Sequence, residues 1–118
     1  MHPIIGTWDV SLKTPIGTIG VVYVFTETPN GIAGTATARD ETVPLRAIAC
    51  DGSRVTWEQS VTRPMRLNLH FDVVTSGDTL AGHSRAGRLP RTTVTGTRRP
   101  AGDVLRTLFG HSWQRLAR

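Results

Sequence analysis

Residues 7–15 read TWDVSLKTP and residues 56–64 read TWEQSVTRP. Six positions agree in type at a single offset of 49 residues: Thr7 with Thr56, Trp8 with Trp57, Asp9 with Glu58, Ser11 with Ser60, Leu12 with Val61 and Pro15 with Pro64. Farther along, Ile32-Ala33-Gly34 matches Leu80-Ala81-Gly82 at 48, and Val43-Pro44 matches Leu89-Pro90 at 46. A slowly drifting offset is what two related halves with small loop deletions produce. The chain therefore reads as two similar halves, residues 4–50 and 53–99, followed by a tail of different character.

Working outward from these repeats, each half divides into four strand-like pieces. Ile4, Gly6, Trp8, Val10 and Leu12 alternate with Thr7, Asp9, Ser11 and Lys13, the period of two of a half-buried strand. Thr18 to Thr26 follows, rich in valine and carrying Tyr23 and Phe25, and Pro29-Asn30-Gly31 turns the chain. Ile32 to Arg39 and Val43 to Cys50 complete the first half before the turn Asp51-Gly52. In the second half, Val55 to Val61 carries Trp57. Met65 to Val74 then sets Met65, Leu67, Leu69, Phe71 and Val73 against Arg66, Asn68, His70 and Asp72. Ser76-Gly77-Asp78 turns into Leu80–Arg85, and Leu89 to Arg98 closes the set. Eight short strands joined by tight turns predict an all-β, eight-stranded antiparallel up-and-down barrel. Closure removes both exposed edges and leaves an interior able to hold one small ligand.

Length and composition agree with that architecture. The 118 residues, 38% hydrophobic and 19% charged, make one core rather than two or none. Twelve glycines and seven prolines punctuate strands, and the single Cys50 excludes an internal disulfide framework and a cysteine-based zinc site. The N-terminal MHPIIGTWDV lacks a basic-then-apolar leader, and no apolar run approaches a membrane span. The expectation is a soluble, cytoplasmic protein with a barrel domain over 1–99 and a tail over 100–118.

Pro100 stops the last strand, and Asp103 is placed to cap a helix over Val104–Ala117. Val104, Leu105, Leu108, Phe109, Trp113 and Leu116 form one apolar stripe on that amphipathic helix. Such a stripe packs on its own barrel, pairs with a second copy in a homodimer, or lies on a membrane surface; packing on the protein itself is favoured. Charge is divided unevenly. Residues 1–80 hold six Lys/Arg and eight Asp/Glu, whereas 81–118 hold eight arginines and Asp103 alone. Arginine outnumbers lysine thirteen to one, so composition accounts for much of this skew, and anion binding by the basic third stays open.

The Gly6-x-Trp8 opening of the first strand, the eight tight-turned strands and the late Thr95-Gly96-Thr97-Arg98 resemble the calycin-type small barrels: lipocalins, avidins and fatty-acid-binding proteins. The chain is also similar to small bacterial barrel domains with a closing Gly-Thr-Arg. The resemblance covers residues 4–99. It implies a ligand entering one open end and lying among inward side chains. It also implies, for some relatives, cyclisation or isomerisation of a secondary metabolite folded by the cavity.

The residues themselves offer two kinds of site. If the apolar phases face inward, Trp8, Tyr23, Trp57, Gln59, Leu69 and Phe71 line the interior, with small positions at Gly34, Ala36, Gly82 and Ser84 between them. An apolar lining with a few polar contacts, here Tyr23 and Gln59, suits a small, mainly apolar molecule. For an enzyme working by confinement, the acid/base candidates are His70, Glu58 and Tyr23, with His83 one turn from His70. Alternation nevertheless puts His70 on an outer wall, and places Asp9 and Glu58 opposite Trp8 and Trp57, facing out. No close-spaced histidine pattern points to a metal, no Gly-rich phosphate loop or nucleophile motif appears, and no cofactor is implied. Aromatics on apolar phases argue against nucleic acid as partner.

Overall fold

The computed structural model describes residues 2–15, 17–39, 41–61 and 66–100. They form nine strands: β1 Gly6–Thr14, β2 Gly17–Thr28, β3 Gly31–Ala38, β4 Glu41–Pro44, β5 Arg46–Asp51, β6 Arg54–Val61, β7 Leu67–Ser76, β8 Thr79–Arg85 and β9 Thr92–Arg98. All pairings are antiparallel, in the order β4-β3-β2-β1-β9-β8-β7-β6-β5. The first and last strands of that order follow one another in the chain, so the sheet curls into a nearly closed up-and-down barrel.

The expected count of eight becomes nine at one place. The stretch 43–50 does not run as one strand, because the chain changes partner at Leu45. Up to Pro44 it pairs with β3, and from Arg46 it pairs with β6. Pro44 has no N–H to give a second neighbour. Ala47 takes φ 54, a left-handed conformation unusual for a residue with a Cβ, and the register shifts between Arg46 and Ala49. Leu45 turns its side chain into the core and donates its N–H to Gly34 O at 2.9 Å. Contacts of β3 with β5 and β4 with β6 cover the seam without a continuous ladder. The last strand also starts later than expected, at Thr92, because Leu89 lies in a turn that bonds back to Ala86 O. The tail helix expected over 104–117 lies outside the described residues, and so does any dimer contact through it.

Inward phases match the sequence reading. Trp8, Val10, Val21, Tyr23, Phe25, Val55, Trp57, Phe71, Val73 and Val94 form one buried core. Trp8 stands opposite Tyr23 on the next strand, and Trp57 stands opposite Phe71. The glycines among the small positions, Gly34 and Gly82, serve close packing rather than empty space. A Cβ on Gly82 would run into Asp72 O and lie 2.6 Å from Val73 Cα, so β7 and β8 approach more closely than any side chain permits. The room beside Gly34 is taken by Leu45 and Phe25.

Up-and-down order gives the barrel two unlike ends. One carries the N-terminal residues and the β2–β3, β5–β6 and β7–β8 turns. The other carries the β1–β2, β3–β4, β6–β7 and β8–β9 connections.

Candidate functional site

At the N-terminal end the interior is sealed by Trp8 and Arg98. The indole Nε1 donates to Ile4 O at 2.8 Å, and the Arg98 guanidinium carbon lies 4.4 Å over the ring centroid. Arg98 also donates to the carbonyls of Ile5 and Pro3 and, at 3.0 Å, to Asp78 Oδ1. Gly6 allows this approach: its φ of 132 is open to glycine, and its missing Cβ would sit 3.0 Å from Arg98 Nη1. Gly6-x-Trp8 and the closing Gly96-Thr97-Arg98, remote in sequence, thus meet as one cap.

In the middle of the barrel, four rings pack against one another. Trp57 stacks on Phe71 with centroids 5.0 Å apart, and Tyr23 meets Trp57 at 5.3 Å. Phe25 meets Trp57 edge-on at 5.2 Å. These separations suit favourable aromatic contacts. The Tyr23 hydroxyl donates to Gln59 Oε1 at 2.7 Å, and Trp57 Nε1 donates to the same oxygen at 3.1 Å. Two donors converging on one atom fix the amide orientation: only the oxygen can accept both. Burial pushes the Tyr23 hydroxyl well above its ordinary range, with Gln59 and Trp57 pulling partly the other way. Tyr23 is therefore a neutral hydrogen-bond donor and not a base.

That arrangement aims the Gln59 amide N–H groups away from the tyrosine and the indole. Gln59 is 3% exposed, and among the described residues its amide N–H groups have no hydrogen-bond partner. The Ser84 hydroxyl, also 3% exposed and facing inward on β8, has none either. Both residues belong to the end opposite the Trp8–Arg98 cap. Leu12, Ile19 and Leu69 share the inward phase at that end but are only partly covered, Ile19 remaining 41% exposed.

Five of the six lining residues expected from sequence, Trp8, Tyr23, Trp57, Gln59 and Phe71, are buried inside, and Leu69 is half-buried beside them. Of the acid/base candidates, only Tyr23 faces the interior. His70 and Glu58 are exposed on the outer wall, opposite one another across β6 and β7. Asp9 is likewise exposed, held by Arg99 at 2.9 Å. Burial raises the Cys50 thiol above its ordinary range, which makes it a poor nucleophile. Among the described residues no group of three or more His, Cys, Asp or Glu side chains could hold a metal ion.

Two open concavities lie on the outside of the wall, and neither is lined by the six expected residues. The larger, about 680 Å³, runs over β8, β9, β1 and β2 beside Ser11, Gly20, Ala81 and Thr95. The smaller lies beside His70 and His83. Sequence reasoning treated Ser84 as a spacer and gave Arg98 no contact. The inward parity of Ser84 and the arginine ending the last strand were the signals available.

The fold and its interior define a small, nearly closed antiparallel β-barrel. Compared with models of known families, with characterised proteins and with solved structures, the chain matches none.

Proposed function

We propose that the barrel binds one small, mainly apolar molecule bearing a carbonyl or hydroxyl acceptor, at the interior end marked by Gln59 and Ser84. The observation that carries this reading is the buried Gln59 amide, whose N–H groups meet no acceptor among the described residues. A polar group kept dry and unpaired costs about 1–3 kcal/mol, and folded proteins rarely leave one so. A ligand acceptor would satisfy it, while Leu12, Ile19 and Leu69 supply the apolar surface for the rest of the molecule. The meeting of Gly6-x-Trp8 with Arg98 at the opposite end supports the resemblance to calycin-type barrels, in which one end admits the ligand. The paired registers of Trp8 with Tyr23 and Trp57 with Phe71 support the two-halves reading. An enzyme of the cyclase or isomerase kind would share this binding step, but no observation favours it: Tyr23 is its only buried candidate and is held neutral.

Medium-chain aliphatic ketones and the matching alkanes provide the test, read by tryptophan fluorescence. Saturable quenching by the ketones, with affinity falling about tenfold in Gln59→Leu, is expected for the loss of one buried hydrogen bond. Equal response to ketones and alkanes, or no response to either, overturns the proposal. Ser84→Ala provides a second variant that leaves the Tyr23–Gln59–Trp57 contacts in place.

A further inference from the structure

The outer wall beside the same end of the barrel carries a cluster of cationic and imidazole side chains around one hollow. His70 on β7, His83 and Arg85 on β8, Gly87 in the following turn and Arg91 just before β9 line an open pocket of about 400 Å³. Strand alternation explains the gathering. His70 and Arg85 stand directly opposite in register, and His83 is two residues from Arg85 on the same face. Gly87 takes φ 56 in the turn that brings the chain back, and Arg91 shares the outward phase of Thr93.

The charges around this hollow are not balanced. Arg54, Arg98 and Arg99 each end on a carboxylate, those of Asp72, Asp78 and Asp9. Arg85 and Arg91 meet none among the described residues. Among the described residues, the acids that stand across from its histidines are Asp72, which faces His83 but is held by two bonds from Arg54 at 2.6 and 3.0 Å, and Glu58, which stands across from His70. Two guanidinium groups in one concavity, with no carboxylate on either among the described residues, repel each other and concentrate positive potential there.

We propose that this pocket binds the phosphate group of a small phosphate monoester. Two guanidinium forks and two imidazole N–H groups offer more donors than the two oxygens of a carboxylate can use, whereas a phosphate monoester presents three strongly accepting oxygens. A nucleic-acid backbone calls instead for cations spread along a strand. The site lies outside the barrel and does not depend on the reading of its interior.

Side-chain imidazole NMR of the full chain, titrated with inorganic phosphate or phenyl phosphate at constant ionic strength, tests it. His70→Gln and His83→Gln assign the two resonances. Expected are saturating shifts at His70 and His83 with His2 unmoved. Affinity should drop at least about tenfold in the Arg85→Gln/Arg91→Gln double variant, the equivalent of one charge-assisted bond. Arg39→Gln, an exposed arginine outside the pocket, leaves the titration unchanged, as does Gln59→Leu. Shifts matched by chloride, a double variant that binds equally well, or a response to a short single-stranded oligonucleotide with none to phosphate would overturn the assignment.

Discussion

The two ends of the barrel interior use polar groups in opposite ways. At the N-terminal end the polar groups of the cap are answered: the Trp8 indole by Ile4 O, the Arg98 guanidinium by Ile5 O, Pro3 O and Asp78. At the other end Gln59 and Ser84 are as deeply buried as the core, yet they keep hydrogen-bonding capacity unspent among the described residues. A buried polar group with all its partners specifies structure; one without them costs stability until something else supplies a partner. The difference separates an end that holds the barrel shut from the end where we propose the ligand enters.

If that contrast is right, the largest effect falls on the cap. Arg98→Ala frees two backbone carbonyls and uncovers Trp8, and a loss of roughly 3 kcal/mol is expected in urea unfolding. Arg98→Lys should recover little, since an ammonium cannot reproduce the fork. A loss no larger than that of an ordinary surface arginine would break the comparison.

Tyr23 gives the next effect. Its hydroxyl has a raised pKa in the fold, so its contribution is intact below the ordinary tyrosine pKa and is lost as pH rises beyond it. Stability should fall by about 1.4 kcal/mol per pH unit above a pH of about 10. Tyr23 is the sole tyrosine, so the phenolate absorbance band reads it alone and should appear only together with unfolding. Ionisation in a folded barrel would show that water already reaches the Gln59 network.

Ser84→Ala sharpens the contrast by its small size and its sign. Removing a hydroxyl that has no partner among the described residues should leave the ligand-free protein unchanged or more stable by up to about 1 kcal/mol. A clear destabilisation would mean that the hydroxyl is already satisfied.

The smallest effect is expected at the outer wall. Arg54 holds the Asp72 carboxyl below its ordinary range by hydrogen bonding and charge. The folded-state pKa is lowered, so this contribution is present above the ordinary carboxylate range and is lost as pH falls through the folded-state value. Asp72→Asn should cost slightly at neutral pH and nothing in strong acid, as thermal unfolding at the two pH values would show.

Much of the barrel was legible in the chain because period-two patterning reports directly which face of a strand is buried. Leu67 to Val74 announces its inward face, and parity alone assigns Trp8, Trp57, Tyr23 and Phe71 to the interior. The break at Leu45 was less legible: Val43 to Cys50 alternates acceptably, and only the partner change and the left-handed Ala47 divide it. The outward positions of His70 and Glu58 also followed from parity, but their gathering with Arg85 and Arg91 did not. That depends on register, which a single strand does not contain.

The amino-acid order by itself determined an all-β barrel domain, its turns and the parity of its buried side chains, because these depend on neighbours one to four residues away. Tertiary structure alone decided that Arg98 covers Trp8, that Gln59 receives both Tyr23 and Trp57, and that this leaves an amide with no partner among the described residues. Those outcomes depend on how strands tilt and close around a common axis, a geometry set by packing the whole barrel at once.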